Sequence, residues 1–457
     1  MQLASTVCAI RTLLSEAVAD FQNHRNVNTL CEQVKNGLLL HVEAFLVPVI
    51  EKLLCDPQLM LELKVGAGKM GLRFNAYRPS SIRLLTGNAL KVRSSYFSKT
   101  STKRRPGPKS KKRNKGTGRH FGLDYLGFIC RCTTLLGSVV SQAALLCPSF
   151  EIARQSLKCH AIDLNVKTIR RITLNVAQEA MPHRGRVSIC DTDIIEAKTV
   201  LICIDGGRLR ERRTKRGRKP EGQKRQGYHA DWKEPIQFVI HIVDPDGTIS
   251  KEQLPLYDAT MGDVDAAFKL LETYLSHLDI SKADRVVFCC DGARSYWKRT
   301  ARLAQKLGIR VHYEVIDYTH AKQNLHKIID KLPKTICSKE KKRIADTWKN
   351  LLWEGKHTDL AKDIAKRIVY PKRRKEALSK FNNYFTRNRS RLQYADFRDM
   401  KIPIGSGCVE SAIRRVINLR MKSPGIFWKP ETSEPMLFLR SQLLSGRWSI
   451  MLSNIFK

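Results

Sequence analysis

Four apolar runs that each stop at an aspartate set the tightest limit on how this chain can fold. VLICID (200–205), IQFVIHIVD (236–244), RVVFCCD (285–291) and VHYEVID (311–317) read as strands, and continuous apolar runs belong to a sheet covered on both faces. Pro245-Asp246-Gly247 closes the second run, so TISKEQLPLYD (248–258) can return antiparallel as a further strand. Val264, Phe268, Leu271, Leu275 and Leu278 follow at helical spacing, and SYWKRTARLAQKL is a second helix. The order β-β-β-α-β-α-β is three meandering strands and then alternating units. That is an α/β fold with a mixed five-stranded sheet.

The remaining segments divide by composition. Residues 1–90 read as a helical N-terminal region through IRTLLSEAVADF and LLLHVEAFLVPVIEKLL, and residues 91–120 as a basic linker of Lys, Arg, Ser, Thr, Gly and Pro. Residues 121–182 end in two helices, FEIARQSLKCHA after a Ser149 cap and VKTIRRITLNVAQEA after the turn IDLN. The second buries Val166, Ile169, Ile172 and Val176 and turns Lys167, Arg170 and Arg171 outward, which resembles a DNA-binding helix-turn-helix. Residues 183–317 and 401–457 form the α/β domain, interrupted at 318–400 by charged helical sequence. Gly405-Ser406-Gly407 opens a final helix, CVESAIRRVINLRMK.

Charge narrows the partners. The 457 residues carry 82 Lys+Arg against 43 Asp+Glu, a net +39, which attracts polyanions and makes nucleic acid the expected partner ahead of a membrane surface. No run of about 18 apolar residues suggests a membrane span. The start MQLASTVCAI lacks a secretory signal, and 13 cysteines without a C-x-x-C pair read as reduced thiols in a cytoplasmic protein. Cys130 and Cys132 read as core residues rather than metal ligands.

Three acids stand where chemistry would need them. Asp205 ends the first strand before Gly206-Gly207, and Asp291 ends the fourth before Gly292. Ligands of open α/β sheets bind at the carboxyl ends of strands, and Gly lets a substrate approach. On a helical wheel Glu410 falls inside the apolar arc marked by Ile417 and Met421. Converging carboxylates repel, and a divalent cation with oxygen preference, Mg²⁺ or Mn²⁺, relieves that.

The strings IDGGRLR, VVFCCDGARSYWK, VIDYTHAKQNLHKI and IGSGCVESAIRRVINLRMK, continuing through FLRSQLLSGRW, resemble in order and spacing the DDE transposases of bacterial insertion sequences. The resemblance covers 187–457 and implies an RNase H-like core with an all-helical insertion before its last acid. It implies that Asp205, Asp291 and Glu410 hold two Mg²⁺ (or Mn²⁺) ions for DNA cleavage and strand transfer, with Asp317 and His320 supporting the site. It also implies element ends and target DNA as partners, and a homodimer or higher oligomer on DNA.

Other residues compete for attention. Asp191, Asp193 and Glu196 read as solvated, and Asp244 and Asp246 as turn residues. Arg216 and Arg218 in KRGRKPEGQKR (215–225) suit a narrow minor groove, or are a solvated loop between strands one and two. Lys372, Arg373 and Arg374 would clamp DNA from the helical insertion. Trp232, Trp297 and Trp428 read as packing residues, one of which could stack on an extruded base. Two other functions share these features: a transposase-derived DNA-binding protein without catalysis, and an RNase H-like nuclease without strand transfer.

Overall fold

The computed structural model describes residues 2–99, 118–218, 221–222 and 226–456. The chain divides into two compact units, Met1–Glu179 and Ala180–Ile455. In the first, α1 (Gln2–His24) and α2 (Val27–Leu54) are joined at Arg25-Asn26, where the Asn26 side chain caps α2. Next, α3 (Pro57–Lys69), capped by Asp56, leads into β1 (Leu72–Ile82) and β2 (Leu90–Lys99), an antiparallel pair. This corrects two expectations. Residues 1–90 are not all helical, and 90–99 belong to a strand rather than a linker. The exposed Lys91, Arg93 and Lys99 of β2 obscure a strand that buries Val92, Ser94, Ser95 and Phe97, its inward face changing at the register shift opposite Phe74 and Ala76. The stretch 100–117 lies outside the described residues.

Beyond it come α4 (Phe121–Tyr125), β3 (Phe128–Ile129), β4 (Cys132–Thr133), α5 (Thr134–Leu146), α6 (Phe150–Lys158) and α7 (Val166–Ala180). The Ser149 hydroxyl accepts from Ile152 N–H at 3.1 Å, and Asn165 Oδ1 accepts from Thr168 N–H at 2.9 Å, so both helices start at side-chain caps. Cys132 joins the core of this unit with Leu136, Leu157, Ile169 and Ile172, while Cys130 is exposed in the turn.

The second unit is built on β5 (Thr199–Gly206), β6 (Leu209–Thr214), β7 (Tyr228–Lys233), β8 (Ile236–Val243), β9 (Leu256–Thr260), α8 (Val264–His277), β10 (Arg285–Cys290), α9 (Arg294–Lys306) and β11 (His312–Ile316). Its main sheet runs β11-β10-β5-β8-β9, with β5, β8 and β9 antiparallel and β10 parallel to both β5 and β11. This mixed five-stranded α/β arrangement is consistent with an RNase H-like core. Only the end of 248–258 pairs as β9, because the residues before it turn on Asp246, whose Oδ1 accepts from Thr248 N–H at 2.8 Å. The presumed loop after β5 is instead the antiparallel ribbon β6–β7.

From Tyr318 to Asp399 the ordered elements are helical: α10 (Tyr318–Ile329), α11 (Ser338–Trp353), α12 (His357–Arg367), α13 (Pro371–Phe381) and α14 (Tyr394–Asp399). They share one apolar core with the sheet, in which Ile202, Phe288, Leu325, Trp348, Leu360 and Phe381 are all buried. The last stretch holds α15 (Gly407–Ile413), a widened π turn at Arg414–Asn418, α16 (Leu419–Met421), α17 (Pro430–Leu444) and α18 (Trp448–Phe456). The helix opened by Gly405-Ser406-Gly407 is therefore not the final one.

A buried polar cluster ties these layers. Arg184 holds Asp258 through two nitrogens at 2.7 and 3.0 Å and reaches Glu434 at 2.5 Å, while Tyr274 donates to Asp258 at 2.9 Å. Asp193, expected in solvent, is buried against Arg447 at 2.6 Å; Asp191 and Glu196 are exposed. One acid of the three is drawn inward by a partner 254 residues away, which local sequence does not reveal.

Candidate active site

Strand pairing brings the first two acids together. Ile204 is the register partner of Cys290 on parallel neighbours, so Asp205 and Asp291 follow at adjacent strand ends. One oxygen of each is taken by the backbone: Asp205 Oδ1 accepts from Gly206 N–H at 2.7 Å and Asp291 Oδ1 from Ala293 N–H at 2.9 Å. Gly292 sits at φ +98°, and an added Cβ would come within 3.2 Å of Tyr384. The Tyr384 hydroxyl donates to the Asp291 carbonyl at 3.1 Å. Glycine is thus required in that turn by both conformation and space.

The third strand end carries Asp317, 1% exposed. Its N–H donates to Cys290 O at 3.0 Å, tying β11 to β10. Its Oδ1 caps α10 by accepting from His320 N–H at 2.8 Å, and its Oδ2 accepts from Ser406 N–H. Those bonds hold its carboxyl far below the usual carboxylate range despite burial. Asp317 therefore fastens the loop before α15 to the sheet. His320 Nδ1 lies 3.5 Å from Asp317 Oδ1, too long for a good hydrogen bond but close enough for charge attraction. Asp317, with Asp205 and Asp291 behind it, raises the proton affinity of His320.

Glu410 sits on α15, which packs on β5 and β8. Cys408 Sγ lies 3.2 Å from Cys203 Sγ, and Ile413 and Ile417 cover Gly207 so closely that a Cβ there would be 2.4 Å from Ile417. The buried arc is Val409, Ala412, Ile413, Val416 and Ile417. Glu410 itself is exposed, which corrects its placement inside that arc. The π turn takes up an extra residue, so a wheel drawn back from Met421 is out of phase at 410.

Electrostatics connect the three acids. Burial raises the proton affinity of Asp205, and the charges of Asp291 and Glu410 raise it further, while Gly206 N–H and His320 pull it down. Three all-oxygen donors under mutual repulsion suit a hard divalent cation, and each aspartate has one oxygen outside the backbone bonds for it. Among the described residues, no three His, Cys, Asp or Glu side chains are already arranged as a metal cage. Binding would have to draw the acids inward by side-chain rotation.

The basic candidates belong to three separate segments of the chain. On α7 Lys167 and Arg171 are exposed and Arg170 is half-buried. Arg216 and Arg218 are exposed at the ribbon end, while 219–220 and 223–225 lie outside the described residues. On α13 Lys372 and Arg374 are exposed, and Arg373 lies 5.6 Å over the Tyr370 ring. Trp297 and Trp428 are buried, whereas Trp232 is exposed.

Tyr296 and Tyr384 were not singled out by sequence. Both have their proton affinity raised, first by burial and then by the Asp291 charge, and SYWKR and NNYFT give no local signal of that proximity.

No helix among the described residues is long and apolar enough to cross a membrane. None of the protein-family models matches the chain, and no curated protein matches it. Among solved structures, the chain is similar to the Drosophila P element transposase strand transfer complex at 10% identity, over 70% of this chain and 81% of that chain, with a TM-score of 0.24. A likeness that loose carries no argument about this chain.

Proposed function

We propose that the chain is a DDE-type DNA transposase, of the kind carried by bacterial insertion sequences, which binds the ends of its own element and cuts and joins DNA. The observation that supports this most is the meeting of Asp205 and Asp291 on adjacent in-register strand ends, with Glu410 near enough to raise the proton affinity of Asp205. Asp205, Asp291 and Glu410 would hold two Mg²⁺ or Mn²⁺ ions, which supply charge neutralisation at a phosphodiester. The chain's own residues do the rest by positioning. Asp317 fixes the approach of α15 to the strand ends through Ser406. His320, whose proton affinity Asp317 raises, would offer positive charge when protonated to a phosphate entering between the acids. The Tyr384 bond to the Asp291 carbonyl keeps that turn from swinging when DNA loads.

A second reading, a DNA-binding protein without catalysis, is favoured by one fact: the acids are not closed into a metal cage. Labelled DNA taken from the sequences flanking the gene, incubated with Mg²⁺ and a supercoiled target plasmid, separates the readings. Joined product is the expected result. Cleavage without joining would indicate a nuclease, and binding alone the non-catalytic protein.

A further inference from the structure

The ribbon β6–β7 leaves the sheet between the strand that ends in Asp205 and its neighbour β8. Its base is closed beside the acid by Gly207 N–H donating to Pro235 O at 2.8 Å. Cross-strand partners share a face, so Arg210 with Trp232, and Thr214 with Tyr228, stand on one side of the ribbon together with Arg212. On that side the guanidinium of Arg210 lies 5.4 Å from the Trp232 ring centre and 4.6 Å from that of Phe427. Phe427 in turn lies 5.5 Å from Tyr228, and Arg212 is 5.7 Å from the Tyr228 ring. Aromatic rings and guanidinium planes thus alternate along the ribbon.

Part of this ladder is packing. Trp428 N–H donates to Arg210 O at 2.9 Å and Arg210 Nη2 to Ser423 O at 3.2 Å, so Arg210 and Phe427 hold the ribbon to the segment before α17. The outer rungs touch that packing on one side and keep the other open. Trp232 is 56% exposed and Tyr228 45% exposed. Two large exposed rings beside guanidinium groups, on a ribbon whose tip is basic from Arg212 to Arg218, complement a polyanion that also presents flat apolar faces.

We propose that this face of the β6–β7 ribbon binds unpaired bases of single-stranded DNA, with Trp232 and Tyr228 as stacking surfaces and Arg210 and Arg212 as their cationic neighbours. The spacing selects the unpaired form. Trp232 and Tyr228 share a face four residues apart, with Ala230 between them, which is about 13 Å of strand and roughly four times the ~3.4 Å separation of bases along a duplex strand, so the two rings suit bases pulled apart rather than neighbours in a stack. Trp232 lies four residues before Ile236, the register partner of Gly206, which puts such a strand beside Asp205. This inference rests on the DNA-processing reading above: it says what the protein does with the strand that cleavage or melting frees.

The test uses the full chain with a mixed-sequence 20-nucleotide oligomer, single-stranded and as its duplex, followed by fluorescence anisotropy. Trp232→Ala is expected to weaken single-strand binding roughly tenfold while changing duplex binding less than about twofold, because stacking contributes to one and phosphate contact to both. Trp232→Phe should restore most of the loss, and wild-type tryptophan emission should be quenched by the single strand more than by the duplex. Circular dichroism would confirm that the exposed substitutions leave the fold intact, and Tyr228→Ala gives an independent second variant. Unchanged single-strand affinity in both alanine variants, or equal losses on both DNAs, would overturn the ribbon proposal while leaving the transposase reading standing. Failure of the wild-type chain to bind either DNA would instead remove the reading beneath it.

Discussion

At the scale of single residues, what a carboxylate does here depends on what its two oxygens touch. Asp291 gives one oxygen to Ala293 N–H and keeps the other, so Asp291→Asn preserves the turn but removes charge. If the proposed function holds, DNA binding should survive in a gel-shift assay, while cleavage and joining should fall by at least about a hundredfold, since only the chemical step would use that charge. Asp317 has no oxygen to spare. Asp317→Ala would leave Ser406 N–H and the first turn of α10 uncapped and should lower stability by about 1–3 kcal/mol in urea unfolding. His357 is a different case: burial and Arg389 lower its proton affinity, and the residue is 3% exposed. The unfolded chain therefore takes up a proton near pH 6.5 before the folded one does. Stability should be fully present above that pH and decline as pH falls below it, and His357→Phe should flatten that part of the curve. Asp205 and Asp291 were legible in sequence because strand-end acids before glycine have a local signature. Asp193 and Asp258 were not, because only partners far along the chain reveal that they are buried.

At the scale of elements, long apolar runs were readable and mixed ones were not. β5, β8, β10 and β11 sit where their runs of Val, Ile, Cys and Phe put them, since few other structures bury such runs. By contrast β2 and β6 are dominated by Arg, Lys and Ser, and each becomes a strand through pairing with a partner strand. The π turn after α15 was invisible for a related reason: a widened turn changes phase without changing residue type. The exposed face of α13 makes its own prediction. Reversing Lys372, Arg373 and Arg374 to Glu should weaken DNA binding and flatten the slope of log affinity against log salt, because fewer counterions are released. An unchanged slope in a salt titration would reduce that face to a solvated surface.

At the scale of the whole molecule, a net charge of +39 attracts any polyanion and does not by itself select among nucleic-acid sequences. Arg170→Ala on α7 should therefore reduce discrimination of element ends over random duplex in competition binding, while cleavage at saturating DNA stays near wild type. The helices from Tyr318 onward pack into the same core as the sheet, and Trp348, whose Nε1 donates to Asp363 at 2.6 Å, is fully buried in it. Cutting Trp348 back to Ala should cost about 3–5 kcal/mol, a large share of a typical domain's stability. In a genetic screen, then, temperature-sensitive alleles should gather at Trp348, Phe381 and their neighbours as readily as around the acids. Heat could then silence the protein with every carboxylate of the candidate site left as it is.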